Sequence, residues 1–241
     1  MSRSQLLMGD EALTKLFDKH VLVVGLGGVG GICAEMIARA GVGKMTIVDG
    51  DVVDLSNCNR QIPALHSTAG KPKVAVMEER LKDINPQLQL TCLQTFIKDD
   101  VTWDILDNNH FDYAVDCIDT LSPKAFFIKG CIDRNIPVVS SMGAGGKINP
   151  EKVRVVDIAK THQCNLAFYV RKRLKNLGIK KGVDVVFSPE KVDQNKIIVT
   201  EKAYPKKSLI GTISYMPAVF GCVTAGVVIR NLAGIKEIGA E

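Results

Sequence analysis

The sequence predicts an α/β fold, a mostly parallel sheet flanked by helices and followed by a C-terminal extension, on three observations. An apolar run from His20 to Val24 passes through the glycine-rich turn Gly25-Leu26-Gly27-Gly28-Val29-Gly30 into a helical pattern that ends near Gly41. Strand-like and helix-like stretches then alternate as far as Ser141, which requires right-handed crossovers between parallel strands. Asp49 and Asp119 end two of those strands, where open sheets present their ligand contacts.

Taken in order, residues 9–19 read as a short helix ahead of the first strand. The glycines after that strand let backbone approach a ligand, and the next helix offers its unpaired amides to negative charge. The second strand, Lys44 to Val48, delivers Asp49 nineteen residues after Gly30, placed to take ribose hydroxyls in a Rossmann-like sheet. A glycine turn alone also serves helix–strand packing; strand, helix and acid together predict a nucleotide. The loop that follows gathers Asp51, Ser56, Asn57, Asn59, Arg60 and Gln61, with Lys73 thirteen residues after Arg60. Hydride transfer needs few cations, whereas a triphosphate must be neutralised before a nucleophile approaches it. That disfavours a nicotinamide-dependent dehydrogenase.

A helix from Val74 to Ile84 carries Val74, Met77, Leu81 and Ile84 on one face and stops at Asn85-Pro86. A strand over 87–95, a helix over 100–109, a buried strand from Asp112 to Ile118, a helix over 121–135 and a strand from Val138 to Ser141 complete the alternation. Asp119 either contacts ligand or caps the helix starting near Ser122; Asp116 is not expected to touch ligand, and Lys124 is expected to be solvated. The second turn, Gly143 to Gly146, either approaches a ligand or is a tight connection.

Residues 1–150 carry 15 Lys/Arg and 18 Asp/Glu, net −3, and residues 151–241 carry 16 and 8, net +8. The expected division is a nucleotide-binding core over 1–150 and a basic substrate-binding part of the same domain over 151–241. A helix from Leu166 to Leu177 bears Arg171, Lys172, Arg173 and Lys175, with Lys180 and Lys181 beyond it. Such density suits a phosphate backbone, the alternative being a solvated face. Lys191, Lys196, Lys202, Lys206 and Lys207 fall in a polar stretch that reads as a long loop. The apolar stretch from Gly211 to Ile235 raises a membrane span, but Pro217, Arg230 and the small residues favour a packing helix from Met216 to Leu232. Gly221, Ala225 and Gly226 would admit a neighbouring helix or a second subunit. Seven cysteines without a C-x-x-C pair offer no zinc template and fit a reducing, cytoplasmic setting; the first ten residues do not read as a signal peptide.

The strings GLGGVG, VDGDVVDLSNCNRQ, GKPK and DCID at 116–119, with Asn-Pro at 85–86, resemble the ATP-dependent adenylating superfamily of ubiquitin-activating enzymes and sulfur-carrier activators. The resemblance implies ATP on Gly25, Gly27, Gly28 and Gly30, with Gly28 as an amide contact, and ribose at Asp49 beside Asp51. It makes Ser56, Asn57, Asn59, Arg60 and Lys73 the phosphate clamp and Asp119 the carboxylate that holds Mg2+. Arg3 would enter the ATP site of a partner subunit in a homodimer, or else be a solvated charge on a disordered end. The paired zinc cysteines of the sulfur-carrier activators are missing here.

Asp157-Ile-Ala-Lys160-Thr161, the basic helix, Gly182 to Ser188, Asn59 to Ile62 and Gly143 to Gly146 are similar to a tRNA-acting branch. There ATP activates the threonyl carboxylate of N6-threonylcarbamoyladenosine beside the anticodon, and a ring closes with loss of water. That implies tRNA, a second copy and a sulfur-transfer protein as partners, and leaves Cys164 structural because no thioester is required. The rivals are adenylation of a ubiquitin-like sulfur carrier, which would need a carrier protein, and a nucleotide-binding scaffold without turnover, which would not need Arg60, Lys73 and Asp119 together.

Overall fold

The computed structural model describes residues 2–193, 197–199 and 208–235. Two short helices, α1 (Ser2–Met8) and α2 (Asp10–Phe17), precede β1 (His20–Val24), α3 (Gly30–Ala40) and β2 (Lys44–Val48). After a long loop come α4 (Lys73–Ile84), β3 (Gln89–Leu93), α5 (Asp99–Asp107), β4 (Tyr113–Asp116), α6 (Leu121–Asp133) and β5 (Val138–Ser141). The last third holds β6 (Arg154–Asp157), α7 (Asn165–Asn176), β7 (Asp184–Phe187), β8 (Ile197–Val199), β9 (Ser208–Ile210) and α8 (Tyr215–Ala233).

Seven strands form one sheet in the order β3-β2-β1-β4-β5-β7-β6, all parallel except β6, which runs antiparallel to β7. The extension therefore continues the core sheet instead of forming a separate unit. β8 and β9 pair antiparallel where a loop was expected. Lys196, Lys202, Lys206 and Lys207 lie outside the described residues.

Val21 to Val24 are buried on both sides, as parallel strands covered on two faces must be. One face packs Ile37, Met77, Leu81, Phe220 and Val228 from α3, α4 and α8; the other packs Ile105, Phe127, Val170 and Leu174 from α5, α6 and α7. Each large apolar side chain fully buried here contributes about 1.5–3 kcal/mol. α8 is long and apolar enough to cross a membrane by length and composition. It packs on α3, however, where a Cβ on Gly221 would stand 2.6 Å from the Val29 carbonyl oxygen. Gly221 thus serves the neighbouring helix.

The order reverses between β1 and β4: β2 and β3 lie to one side, β4 and β5 to the other. That reversal opens a crevice at the carboxyl ends of the strands, and the glycine turn, Asp49, the Arg60 loop and Asp119 follow those strand ends.

Candidate active site

The glycine turn is compact because side chains have no room in it. A Cβ on Gly30 would lie 1.7 Å from the Gly25 carbonyl oxygen, and one on Gly25, whose φ is +89°, would lie 2.9 Å from the Cys117 oxygen. These two glycines close β1 onto α3 and onto the end of β4. A Cβ on Gly28 would meet Pro217 at 2.9 Å and the Arg60 carbonyl oxygen at 3.1 Å. So Gly28 is where three segments converge on the turn: its own strand, the loop after β2 and the start of α8. At the start of α3, Gly31 N donates back to Gly27 O at 3.1 Å and Cys33 N to Val29 O at 2.9 Å, closing the turn onto the helix.

Asp49 is buried and braces the turn, accepting from Leu26 N at 2.6 Å and Asp51 N at 2.7 Å. Burial pushes its carboxyl up, against the Lys73 charge and the two amides that pull it down. Each oxygen keeps a second lone pair for a ribose hydroxyl. The chain doubles back through Val53 N to Lys71 O at 2.8 Å and Lys73 N to Asp51 O at 3.1 Å. Lys73, the first residue of α4, is thereby buried beside Asp51, with Nζ 2.9 Å from Oδ2. A phosphate would have to compete with Asp51 for that ammonium.

Arg60 is half-buried and folded onto its own loop: Nη1 donates to Ser56 O at 3.0 Å and to Asn59 Oδ1 at 2.7 Å. Asn59 Nδ2 donates to Thr212 O at 2.9 Å, tying the loop to the segment before α8. The Asn57 side chain is used in a capping box with Asp54, so it acts within the loop. Gln61, quoted in the motif but given no role, stands over Gly27; its Oε1 is the single buried side-chain polar atom without a hydrogen bond among the described residues. An unmade bond of that kind costs about 1–3 kcal/mol.

Asp119 is exposed on the loop that follows β4, two residues after Cys117, whose carbonyl leaves no room for a Cβ at Gly25. The N-cap of α6 is Thr120, not Asp119. Beneath this loop the expectation for Lys124 fails: its side chain has no exposed surface and pairs with Asp116 Oδ2 at 2.9 Å. Lys124 Nζ also donates to Ile118 O at 2.9 Å, Ser140 donates to Asp116 at 2.6 Å, and Ile118 N donates to its other oxygen at 3.0 Å. Burial pushes the Asp116 carboxyl up, opposed by Lys124 and Ser140. A lysine on the first turn of α6 points inward because β4 presents an acid to it, a tertiary reason with no periodic trace in sequence.

The second glycine turn is closed by its own chain. A Cβ on Gly146, φ +71°, would lie 2.4 Å from Val192, and Gly146 N donates to Gly211 O at 2.8 Å. Beside it, Lys147 is buried with Nζ donating to Ser188 O at 3.1 Å and to Glu190 O. Of the basic helix residues, Lys172, Arg173 and Lys175 are exposed. Arg171 turns back to Thr161, donating to its carbonyl at 2.8 Å and to its hydroxyl. Cys164 is buried. Arg3 is exposed on α1, a helix where a disordered end was the alternative.

A cavity of about 580 Å³ lined by Lys19, Asp112, Tyr113 and Asp184 opens at the opposite end of the sheet, where strands begin. It has no glycine turn leading into a helix, whereas the crevice at the carboxyl ends has one, so the crevice is the candidate site. No group of three or more His, Cys, Asp or Glu among the described residues is arranged to hold a metal.

A family model described as the ThiF family matches residues 1–240. The chain is 40% identical to the tRNA threonylcarbamoyladenosine dehydratase of Bacillus subtilis over 98% of its own length and 95% of that protein. Its fold matches the Escherichia coli tRNA N6-threonylcarbamoyladenosine dehydratase solved with ATP at a TM-score of 0.87 and 37% identity, covering 97% of this chain and 93% of that one. The sulfur carrier protein ThiS adenylyltransferase of E. coli is 36% identical over 60% of this chain and 59% of its own. The likeness to the dehydratases thus takes in the last third, and the likeness to the adenylyltransferase covers much less.

Proposed function

We propose a function from one premise: the chain belongs to the ThiF family. It is an ATP-dependent enzyme that activates the threonyl carboxylate of N6-threonylcarbamoyladenosine in tRNA and closes the ring with loss of water. The observation that carries this reading is the convergence on one glycine turn of the Arg60 loop, the Asp119 loop and the start of α8. A nicotinamide would leave the cations around it without work.

The carboxylate attacks a phosphorus of ATP, expelling pyrophosphate if the α-phosphorus is attacked or ADP if the γ-phosphorus is, and the glycine turn before α3 holds the phosphate chain while charge builds up. Arg60 leaves Ser56 and Asn59 to meet that charge, and Lys73 exchanges Asp51 for phosphate oxygen. Asp119 would hold Mg2+ with phosphate oxygens, and the bound ion supplies further neutralisation of the triphosphate. The carbamoyl group then attacks the activated carbonyl carbon, expelling the phosphoryl group with one carboxylate oxygen and releasing a proton, so the nucleoside loses one water. Lys172, Arg173 and Lys175 meet the tRNA backbone, and Arg3 enters the site of a second copy. A tRNA substrate fits a cytoplasmic protein.

The test is to incubate the protein with ATP, Mg2+ and tRNA bearing the modification, then to read the nucleosides by mass spectrometry. The expected product is the modified nucleoside lighter by one water, formed only with ATP. An unchanged nucleoside would contradict the reading.

A further inference from the structure

We infer that Phe168 and Tyr169, on the outer face of α7, form a stacking platform for unpaired bases of the RNA loop that carries the reacting nucleoside. This rests on the proposal that the substrate lies in a tRNA loop. α7 turns Ala167, Val170 and Leu174 into the core, which directs Phe168, Tyr169, Lys172 and Arg173 outward. The two rings are 52% and 53% exposed and meet edge to face, with centroids 5.2 Å apart.

The pair is held in place. The Arg171 guanidinium lies 5.9 Å from the Phe168 centroid and is pinned by Thr161, so the charge beside that ring is fixed. Arg173 lies 5.5 Å from the ring of Phe126 on α6, extending the aromatic and cationic surface across to that helix. Lys172 and Lys175 stand four and seven residues after Phe168, so a base on the ring leaves its phosphate near an ammonium about 5.4 Å further along the helix. α7 contains no acidic residue. Lysine is depleted from the cores of protein interfaces; π faces beside cations of one sign fit a single-stranded polyanion with flat bases.

The position also fits. The first turn of α7 abuts the loop after β5, where Leu166 and Cys164 lie 3.7 and 3.8 Å from the place of a Cβ on Gly143. β5 is two strands from β1, about 10 Å at the spacing of a sheet. A nucleoside at the crevice therefore has its neighbours in the loop within reach of this helix.

The experiment compares the full chain with the double variant Phe168→Leu/Tyr169→Leu, which keeps apolar bulk and removes the π faces. Two RNA probes are titrated over a salt series: an anticodon stem–loop and a fully paired duplex of the same stem. The variant should bind the stem–loop about tenfold or more weakly for each base that loses its stack, with an unchanged salt slope, unchanged duplex affinity and an unchanged thermal midpoint. By contrast, Lys172→Gln/Lys175→Gln should reduce the salt slope. Wild-type affinity of the leucine variant for the stem–loop would overturn the inference and leave the pair a protein-docking face or plain surface; equal weakening for both probes would also overturn it. Failure of the wild-type protein to dehydrate modified tRNA would instead sink the proposed function.

Discussion

Lys124, on the first turn of α6, and Arg60, on the loop after β2, are cations on the two sides of the glycine turn, yet their surroundings differ sharply. Lys124 is fully buried and fixed by Asp116 and a carbonyl of the loop it supports. Arg60 is half in solvent and bonded only to its own loop, through Ser56 and Asn59. The first belongs to a frame, with Asp49, Asp116 and Ser140, whose polar atoms are satisfied by the protein. The second belongs to a rim, with Asp119 and Asn59, whose bonds can be exchanged for those of a ligand at little cost. Lys124 is thus held by the protein alone, whereas Arg60 keeps bonds that a ligand in the crevice could replace.

The comparison breaks most visibly at Lys124. Lys124→Met leaves Asp116 buried without its counter-charge and should cost about 3–5 kcal/mol in urea unfolding; a loss below about 1 kcal/mol would remove Lys124 from the frame. At the rim, Arg60→Ala should lower tRNA-dependent ATP consumption about 10²–10³-fold, the effect of losing one donor to developing charge, with the unfolding midpoint unchanged. A shifted midpoint in Arg60→Ala would move that arginine into the frame.

A smaller effect sharpens the comparison on the far side of α3. Glu35 is buried between Arg39 and Arg80 at 2.8 and 2.6 Å. Burial raises its carboxyl, but the two guanidiniums outweigh burial and hold it below the ordinary glutamate value of 4.5. A lowered carboxylate contributes stability above its unfolded pKa and loses it as pH falls through the folded value. Glu35→Gln should therefore cost about 1 kcal/mol near neutral pH, a figure reduced by the exposure of both arginines, and nothing at a pH where wild type is protonated. A gap independent of pH would mean that packing, not charge, ties α3 to α4. Smallest is Lys129→Ala, which removes an exposed pair with Asp133 within α6 and should change stability by under about 0.5 kcal/mol, read from the same unfolding curves.

The same division explains what the sequence made legible. β1, the glycine turn, α3 and Asp49 were readable because local constraints fix them: a buried strand, a turn without room for Cβ atoms, and an acid at a set distance. The rim residues Arg60 and Asp119 were readable through the motif, since they stand where strand ends meet loops. Lys124 was not, because its burial depends on Asp116 and Ser140 from two other strands. Arg171 reads with the phosphate-contacting cations of its helix because its partner, Thr161, lies outside that helix. The apolar run Val185 to Phe187 is visible in sequence, but nothing local announces that β7 slots between β5 and an antiparallel β6.

The most direct measurement follows one oxygen atom. Modified tRNA carrying a heavy-oxygen label in the threonyl carboxylate is turned over with ATP, and the released nucleotide and phosphate are weighed. If the rim gathers ATP so that the carboxylate is activated, one labelled oxygen leaves with AMP or with inorganic phosphate in step with each ring closed. Ring closure with both labelled oxygens retained by the RNA or lost to water would contradict the account.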